Sequence, residues 1–293
     1  MKKIFTVLLL SVVSTSIYAQ ADENGYVDGA WDLKGVTGIN VSQSAFSNWA
    51  AGGENSMATN IYLNGSLKRK TGNWLWVNTL ALEYGTSKIK SQGNRKTNDN
   101  IDFSTQLGYS TDNKWFYTAM GNFKTQFYKG FNYPDKDSYI SNFMAPAYSN
   151  LSLGIEYRPN ANYSFYFSPA SGKMTFVQDD ALSAAGAFGV DPGDKFRMEF
   201  GTYFKARAEQ KIMENVDLIS TLDLFTGYDK SFGNVDINWD ILISMKVNKY
   251  LSATLNTTLK YDDDVKSFDS AGNAKGPKVQ LKEILGVGLV YNF

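Results

Sequence analysis

Cysteine and histidine are both absent from the 293 residues of this chain. Without cysteine there are no disulfides, thiol nucleophiles or cysteine-held metals. Without histidine there is no Ser-His or Cys-His nucleophile, no histidine zinc site and no imidazole general base. An enzyme would have to act through Asp and Glu alone. We therefore expect a non-enzymatic protein with no catalytic residue, no cofactor and no metal site.

An excess of either charge is also absent, because 29 basic residues balance 29 acidic ones. Steering toward nucleic acid needs a surplus of positive charge, so we expect no nucleic-acid partner. After the first residues, no stretch approaches the roughly 18 uninterrupted apolar residues of a membrane-spanning helix. A mature chain that lies in a membrane would therefore have to cross it as a closed barrel.

The N-terminal 21 residues have the order of a secretory signal peptide. Lys2 and Lys3 precede the apolar run at residues 4–13, and small residues follow. This order of positive charge, apolar core and small residues is the one that signal peptidase recognises. We predict cleavage after Ala19 or Ala21.

Apolar and polar residues alternate along most of the remaining chain, which predicts β-strands with one apolar and one polar face. In the clearest segment, residues 235–247, Trp239 and Ile241 share one face while Asp236 and Asp240 share the other. The same alternation predicts twelve strands, at residues 33–42, 59–68, 74–85, 101–109, 115–127, 151–158, 163–168, 196–208, 216–228, 235–247, 251–261 and 279–293.

The links between these segments alternate in length, with short links such as 71–73 and 111–113 and long ones such as 88–100 and 130–147. Short turns on one side and long loops on the other are typical of an up-and-down barrel in the outer membrane. We expect Pro169 to end or bend its strand, because proline cannot donate a hydrogen bond to the ladder.

The predicted fold is therefore all-β, a closed up-and-down antiparallel transmembrane β-barrel of about twelve strands. We expect residues 22–31 to form a short periplasmic tail and residues 32–293 to form the barrel. An even number of strands places both termini in the periplasm. A count from ten to fourteen stays open, because residues 163–168 and the segment after them can be divided in more than one way.

Aromatic residues make up 15% of the chain and gather near the ends of the predicted strands, as in the two girdles of a membrane barrel. The last strand ends with Tyr291 and Phe293. An aromatic final residue resembles the C-terminal sorting signal of bacterial outer-membrane barrels. That resemblance implies a location in the cell outer membrane, contact with its lipid and lipopolysaccharide, and handling by the barrel-assembly machinery during biogenesis.

The polar faces of the predicted strands place a mixed set of charges in the lumen. We expect these charges to pair across a narrow, largely filled interior, since no ring of one sign is present; a lumen open to small solutes is the alternative. The predicted network comprises Lys68, Glu83, Asp102, Lys124, Glu156, Arg158, Arg197, Glu199, Lys205, Arg207, Asp217, Asp223, Asp236, Asp240, Lys246 and Lys260.

Two segments do not have the composition of ordinary loops: residues 47–54 are SNWAAGGE and residues 141–148 are SNFMAPAY. With these segments and Phe167-Ser168-Pro169, the chain resembles a family of outer-membrane barrels from Bacteroidota that is known only as a domain of unknown function. The resemblance extends over nearly the whole mature chain. It implies a fold and a location but no activity.

Phe46, Trp49, Phe143 and Met144 of these segments are too apolar to be solvated comfortably. We predict that both segments fold inward over the mouth of the barrel and form a plug or a binding surface.

The function predicted from the sequence is that of an integral outer-membrane barrel protein, non-enzymatic, acting as a narrow or plugged channel for a small solute. The alternative is a structural or assembly subunit that binds other envelope proteins. A surface hydrolase that uses carboxylates, such as Asp236 and Asp240, is a second and less favoured alternative.

Overall fold

The computed structural model describes residues 26–45, 54–91, 93–229, 232–248, 250–263, 266–268 and 274–293. The expected signal peptide lies outside these residues. Phe46 and Trp49 of the predicted plug also lie outside them.

The described residues form sixteen strands and one short α-helix. The strands are β1 (Trp31–Ser44), β2 (Ser56–Thr71), β3 (Trp74–Ile89), β4 (Gly93–Tyr109), β5 (Trp115–Thr125), β6 (Gly130–Phe131), β7 (Tyr139–Ser141), β8 (Ala147–Asn160), β9 (Tyr163–Phe176), β10 (Phe196–Met213), β11 (Val216–Gly227), β12 (Asp236–Lys246), β13 (Leu251–Tyr261), β14 (Lys266–Phe268), β15 (Ala274–Pro277) and β16 (Gln280–Asn292). The helix α1 (Asp180–Ala184) is followed by a 3-10 turn (Ala187–Gly189).

Twelve of the strands form a closed barrel in the order β1-β16-β13-β12-β11-β10-β9-β8-β5-β4-β3-β2, with antiparallel pairing between neighbours. β1 and β16 close it, with Thr37 opposite Tyr291 and Ile39 opposite Leu289. The remaining described strands form two small hairpins, β6 with β7 and β14 with β15. The predicted all-β barrel and its twelve strands are confirmed.

The period of two in the sequence places apolar side chains on the outer wall of the barrel. In β16, Leu281, Leu285 and Leu289 are 68%, 68% and 64% exposed, while Gly286 and Val290 on the opposite face are buried. An outer wall of large exposed aliphatic side chains is unfavourable in water and favourable in lipid.

We call the end of the barrel that carries the tight turns at residues 72–73 and 161–162 the turn end, and the opposite end the loop end. One predicted loop-end link is wrong: residues 88–100 are mostly a continuation of β3 to Ile89 and of β4 from Gly93. Polar residues occupy both faces of this hairpin. The hydrogen-bonded pairing of β3 with β4 therefore continues beyond the apolar outer band of the barrel. There the sequence no longer alternates between apolar and polar residues, so the alternation does not predict these strand ends.

Pro169 bends β9 but does not end it. Ile155 of β8 pairs with Phe167, whereas Leu153 pairs with Ala170, so one extra residue of β9 lies between these pairs. The pairing of β9 with β10 shifts at the same place. The extra residue of a bulge makes no ladder hydrogen bond, so a proline, which has no N–H to donate, is tolerated there. It also reverses which alternate positions of β9 face the lumen.

The two long connections that flank β8 and β9 pack against each other at the loop end. Ala145, Val177, Leu182 and Val190 form their buried cluster. Asp179 caps α1 by accepting hydrogen bonds from the backbone N–H groups of residues 181 and 182. We call these two packed connections the cap.

Within the described residues, no helix is long and apolar enough to cross a membrane.

Large buried side chains of the barrel lie inside it. Leu75, Val77 and Phe116 point into the lumen near the turn end and form one cluster with Tyr26. A second cluster lies deeper in the lumen and comprises Met120, Tyr166, Tyr203 and Phe225.

Candidate functional site in the barrel lumen

The turn end of the lumen is obstructed by Tyr26, which precedes β1. Its ring packs on the cluster of Leu75, Val77 and Phe116, and its hydroxyl accepts a hydrogen bond from Arg158. The chain is held there by Asp28, whose carboxylate accepts a hydrogen bond of 2.7 Å from the backbone N–H of residue 72. We call this group the Tyr26 barrier.

A buried ion pair completes the Tyr26 barrier. Arg158 Nη2 lies 2.7 Å from Glu156 Oε1, and both side chains are almost inaccessible. Arg158 also donates to Gln106, and Thr118 donates to Glu156. Opposite charges at this depth fill space that a wide pore would leave open.

Farther along the lumen, an ionic cluster is built against the second aromatic cluster. Lys124 Nζ lies 3.2 Å from Asp102 and 3.3 Å from Asp223. Lys205 lies 3.7 Å from the same Asp223 carboxylate, which also accepts a short hydrogen bond from the Tyr203 hydroxyl. Asp223 is therefore the centre of this cluster.

Beside these filled regions lies a cavity of about 340 Å³. It runs along ten strands, all of the barrel strands except β8 and β9, and its lining extends from Asn292 near the turn end to Lys282 near the loop end. Its ionisable lining is balanced, with six cations, Lys34, Lys124, Lys205, Arg207, Lys260 and Lys282, and six carboxylates, Glu83, Asp102, Glu209, Asp217, Asp223 and Asp240.

Two carboxylates of the cavity are held by neutral donors. Glu83 accepts hydrogen bonds from the side-chain amides of Asn98, at 2.6 Å, and Asn256, at 2.7 Å. Asp240 accepts hydrogen bonds from Thr258, at 2.7 Å, and Asn238, at 2.8 Å. Among the described residues, neither carboxylate has a cation within ion-pair distance.

Two lysines of the cavity, Lys260 and Lys282, likewise lack a carboxylate partner among the described residues. Lys282 donates to the amide oxygen of Asn98 at 2.9 Å. Lys260 makes no hydrogen bond or ion pair with the part of the chain that the structure describes, and Lys282 has no carboxylate partner there.

At the loop end, three carboxylates surround Lys173. Its Nζ atom lies 2.5 Å from Asp236, 3.5 Å from Asp262 and 3.8 Å from Glu199. Arg197 pairs with Glu199 at 2.9 Å and donates to a backbone carbonyl of the cap. This end of the lumen is therefore acidic and is tied to the cap.

The predicted lumen charges lie at three levels along the barrel. Near the turn end lie Lys68, Glu156, Arg158, Arg207, Asp217 and Lys246. In the middle lie Glu83, Asp102, Lys124, Lys205, Asp223, Asp240 and Lys260. Near the loop end lie Arg197, Glu199 and Asp236.

Several lumen residues were not predicted from the sequence. Lys173 faces inward only because the bulge at Pro169 reverses the alternation of β9. Glu209 pairs with Arg207 at 2.8 Å, because β10 continues through what the hydrophobic pattern predicts to be a turn. Asp262 follows β13 directly and reaches back to Lys173. A proline in a strand is a signal for a bulge and points to the first of these.

The predicted plug is described only at Phe143 and Met144. The Phe143 side chain is 54% exposed, and the plug or binding surface stays a prediction. Its neighbour Ala145 is fully buried in the cap instead. Met144 makes loop contacts through its backbone, donating to Thr125 and accepting from the N–H of residue 178. A small side chain fits the cap interior at this turn, and the large ring points away from it.

No group of three or more side chains suited to a metal is found in the described part of the chain. The lumen carboxylates named above are engaged by lysine, amide, hydroxyl or backbone donors. We find no arrangement there of a nucleophile beside a base.

Residues 41–131 match the family described as Protein of unknown function (DUF3078). The match runs from the later part of β1 to β6. The resemblance to a domain of unknown function is confirmed over this range. The range is shorter than the expected one, which covers nearly the whole mature chain. It includes the segment at residues 47–54 and ends before the one at residues 141–148.

No sequence in a search of curated proteins matches the chain. Among solved structures, an outer membrane channel from Pseudomonas putida F1 is 12% identical, with a TM-score of 0.42 and coverage of 94% of this chain and 99% of that one. The NanC porin is 8% identical, with a TM-score of 0.36 and coverage of 87% and 98%. The translocator domain of the autotransporter NalP from Neisseria meningitidis is 10% identical, with a TM-score of 0.35 and coverage of 89% and 88%. These values are too low to carry a function from those proteins to this chain.

Proposed function

We propose that this chain is an integral, non-enzymatic protein of the bacterial outer membrane that passes a small solute through a narrow, partly obstructed barrel. The observation that carries this proposal is the cavity of about 340 Å³ that runs along the lumen beside the Tyr26 barrier. A wide pore would lack the barrier, and a purely structural barrel would not need the cavity.

The outer wall supports a lipid environment for the barrel. Trp74 and Trp76 near the turn end are 50% and 43% exposed, and Tyr291 is 66% exposed. Amphipathic rings at a strand end match the girdle at a membrane interface. With the signal peptide predicted from the sequence, this favours the outer membrane, with the turn end and both termini on the periplasmic side.

The charge of the lumen argues for a solute without net charge. Ion channels that select one sign carry a ring of that sign. Here the cavity lining balances its cations against its carboxylates. A neutral or zwitterionic solute would experience the smallest electrostatic barrier.

Planar-bilayer recordings of the purified protein test this proposal. We expect small current steps from the wild type and steps several-fold larger from Tyr26→Ala, because the substitution removes the ring of the Tyr26 barrier. Tyr128→Ala is the matched control, since Tyr128 is 60% exposed and lies in the connection between β5 and β6, away from the barrier. Large ohmic steps from the wild type, unaffected by Tyr26→Ala, would contradict the proposal.

The cap favours a second candidate, a subunit of an envelope protein complex. Ile140 and Phe143 are each 54% exposed at the loop end, where water would surround them in an isolated barrel. Affinity purification from native outer membranes would test this. Subunits that co-purify with the wild type and are lost with Phe143→Ser would favour assembly. An isolated wild-type barrel would oppose it.

A further inference from the structure

The cavity contains charges of both signs that the protein does not pair with each other. Lys260 and Lys282 have no carboxylate within ion-pair distance among the described residues, and Glu83 and Asp240 have no cation there. Other lumen cations, such as Lys124, Lys173 and Arg158, have direct carboxylate partners.

Asn98 keeps one of these opposite pairs apart. It accepts a hydrogen bond of 2.9 Å from Lys282 and donates one of 2.6 Å to Glu83. A neutral amide between a lysine and a glutamate leaves a full positive and a full negative charge facing the same space. Each charge retains free hydrogen-bonding capacity, since an ammonium has three donors and a carboxylate about four acceptor sites.

The two lysines are also close enough for their positive charges to repel each other. Lys282 of β16 is paired with Thr258 of β13, and Lys260 is paired with Gln280, so the two lysines are diagonal neighbours on the inward face. Like charges directly opposite each other on neighbouring strands are destabilising, and long side chains also reach one another at the diagonal spacing. An anion held between the two ammonium groups would relieve their repulsion. An anionic group of a solute would supply that anion.

The cavity also has an apolar wall. Ile219 of β11 and Leu242 of β12 are direct cross-strand partners on the inward face, and both line the cavity. An apolar wall beside charged groups suits a ligand that has both an apolar and a charged part, and the cavity volume lies near the low end of the range of about 300–1,000 Å³ that is typical of small-molecule sites.

We propose that this cavity binds a small zwitterion with an apolar side chain, of the class of the apolar α-amino acids. Lys260 and Lys282 bind its carboxylate, Asp240 and Glu83 bind its ammonium group, and Ile219 with Leu242 contact its side chain. The inference rests on the proposed function, because it names the solute class that the lumen would pass.

Three probes with similar apolar parts separate the possible ligand chemistries. Leucine carries both charges, 4-methylpentanoate carries only the carboxylate, and isopentylamine carries only the ammonium group. We expect titration calorimetry with the purified barrel in detergent to show leucine binding at least tenfold more tightly than either analogue. This experiment needs no conduction, so it fails or succeeds independently of the bilayer recordings.

Substitutions test which side chain binds which charged group of the ligand. Lys260→Met should weaken leucine binding at least tenfold and abolish the residual binding of 4-methylpentanoate. Asp240→Asn should weaken leucine binding at least tenfold and leave 4-methylpentanoate unaffected. Lys195→Met is the matched control, because Lys195 pairs with Asp180 on the cap, outside the cavity, and its substitution should leave the affinity for leucine unchanged.

Two results would overturn the proposal. Leucine and 4-methylpentanoate binding equally well would make the cavity an anion site, and no binding of any probe by a folded barrel would remove the site altogether. Folding of each variant is checked by its heat-dependent mobility on gels, and Asp240→Asn, which keeps the size of the side chain, serves where Lys260→Met does not fold.

Discussion

The Tyr203 hydroxyl donates a hydrogen bond to the Asp223 carboxylate in the interior of the barrel. This bond joins the aromatic cluster of the lumen to its ionic cluster, because Asp223 also pairs with Lys124 and Lys205. One connected unit of rings and charges thereby fills part of the lumen. The cavity occupies the space that this unit leaves.

Removing that hydroxyl should weaken the barrel. In Tyr203→Phe the carboxylate of Asp223 loses one donor in a poorly hydrated site, which costs about 1.5–3 kcal/mol of unfolding free energy for a bond to a charged group. Urea unfolding in detergent or lipid measures it. Tyr117→Phe is the control, since Tyr117 is 73% exposed on the outer wall. Equal effects of the two substitutions would show that the hydroxyl of Tyr203 adds nothing.

Lys173 should be essential to the loop end. It is the cation that lies among Asp236, Asp262 and Glu199, so Lys173→Met leaves like charges close together in a restricted space. Breaking a buried ion pair costs about 3–5 kcal/mol, and we expect a loss of that order in unfolding free energy at neutral pH. Lys195→Met, which breaks an exposed pair with Asp180, should have almost no effect. A Lys173→Met variant as stable as wild type would contradict the loop-end cluster.

The closing seam between β1 and β16 depends on Gly288. A Cβ atom at this position would lie 1.9 Å from the backbone carbonyl oxygen of Ile39, so Gly288→Ala must push the two strands apart. We expect a loss of about 1–3 kcal/mol and a lower yield of folded barrel in refolding assays. Gly65→Ala is the matched control, because no atom lies within 4 Å of its added Cβ. Similar yields for the two variants would argue against the seam as described.

The cap should respond to acid through Asp179. Partial burial alone would raise the pKa of Asp179, but hydrogen bonds from Asn142, the N–H of residue 182 and Tyr139 outweigh it and lower the pKa below its usual value. A lowered pKa in the folded state means that the ionised carboxylate stabilises the cap. This contribution is complete above the unfolded pKa of about 3.9 and is lost as the pH falls through the lower folded value.

Limited proteolysis of the cap measures that contribution. At neutral pH, Asp179→Ala should make the segment at residues 177–195 more sensitive to protease, because removing a helix N-cap costs about 1 kcal/mol. Asp180→Ala should not, since Asp180 is on the exposed side of α1 and forms an exposed pair with Lys195. Acid below about pH 4 should progressively make wild type resemble Asp179→Ala. Identical cleavage of both variants would contradict the capping role.

The barrel itself could be predicted from the sequence because each strand contacts two different surroundings. Residues such as Trp239 and Asp240 alternate between the outer wall and the lumen, and short and long links follow these alternating segments in turn, as in a membrane barrel. The local pattern could not predict where this alternation reverses. Pro169 adds a residue to β9, and the reversal brings Lys173 into the lumen.

The site was less predictable than the fold because its partners come from distant segments. Tyr26 lies outside every strand, and only the folded chain brings it against Phe116. Alternation predicts that Lys260 faces inward but not that its neighbours pair with other residues. Hydrophobicity alone does not predict which side chain of residues 143–145 enters the cap, and there the small Ala145 is the buried one.

The orientation of the two faces is the central claim, and lipid quenching tests it most directly. Because the chain has no cysteine, Leu285→Cys and Lys260→Cys each provide a unique thiol for a small fluorescent label. In vesicles that contain nitroxide-labelled lipid, we expect strong quenching of the label at residue 285 and little at residue 260. Equal quenching at the two positions, or stronger quenching at residue 260, would contradict a barrel with its aliphatic wall in lipid and its charges within.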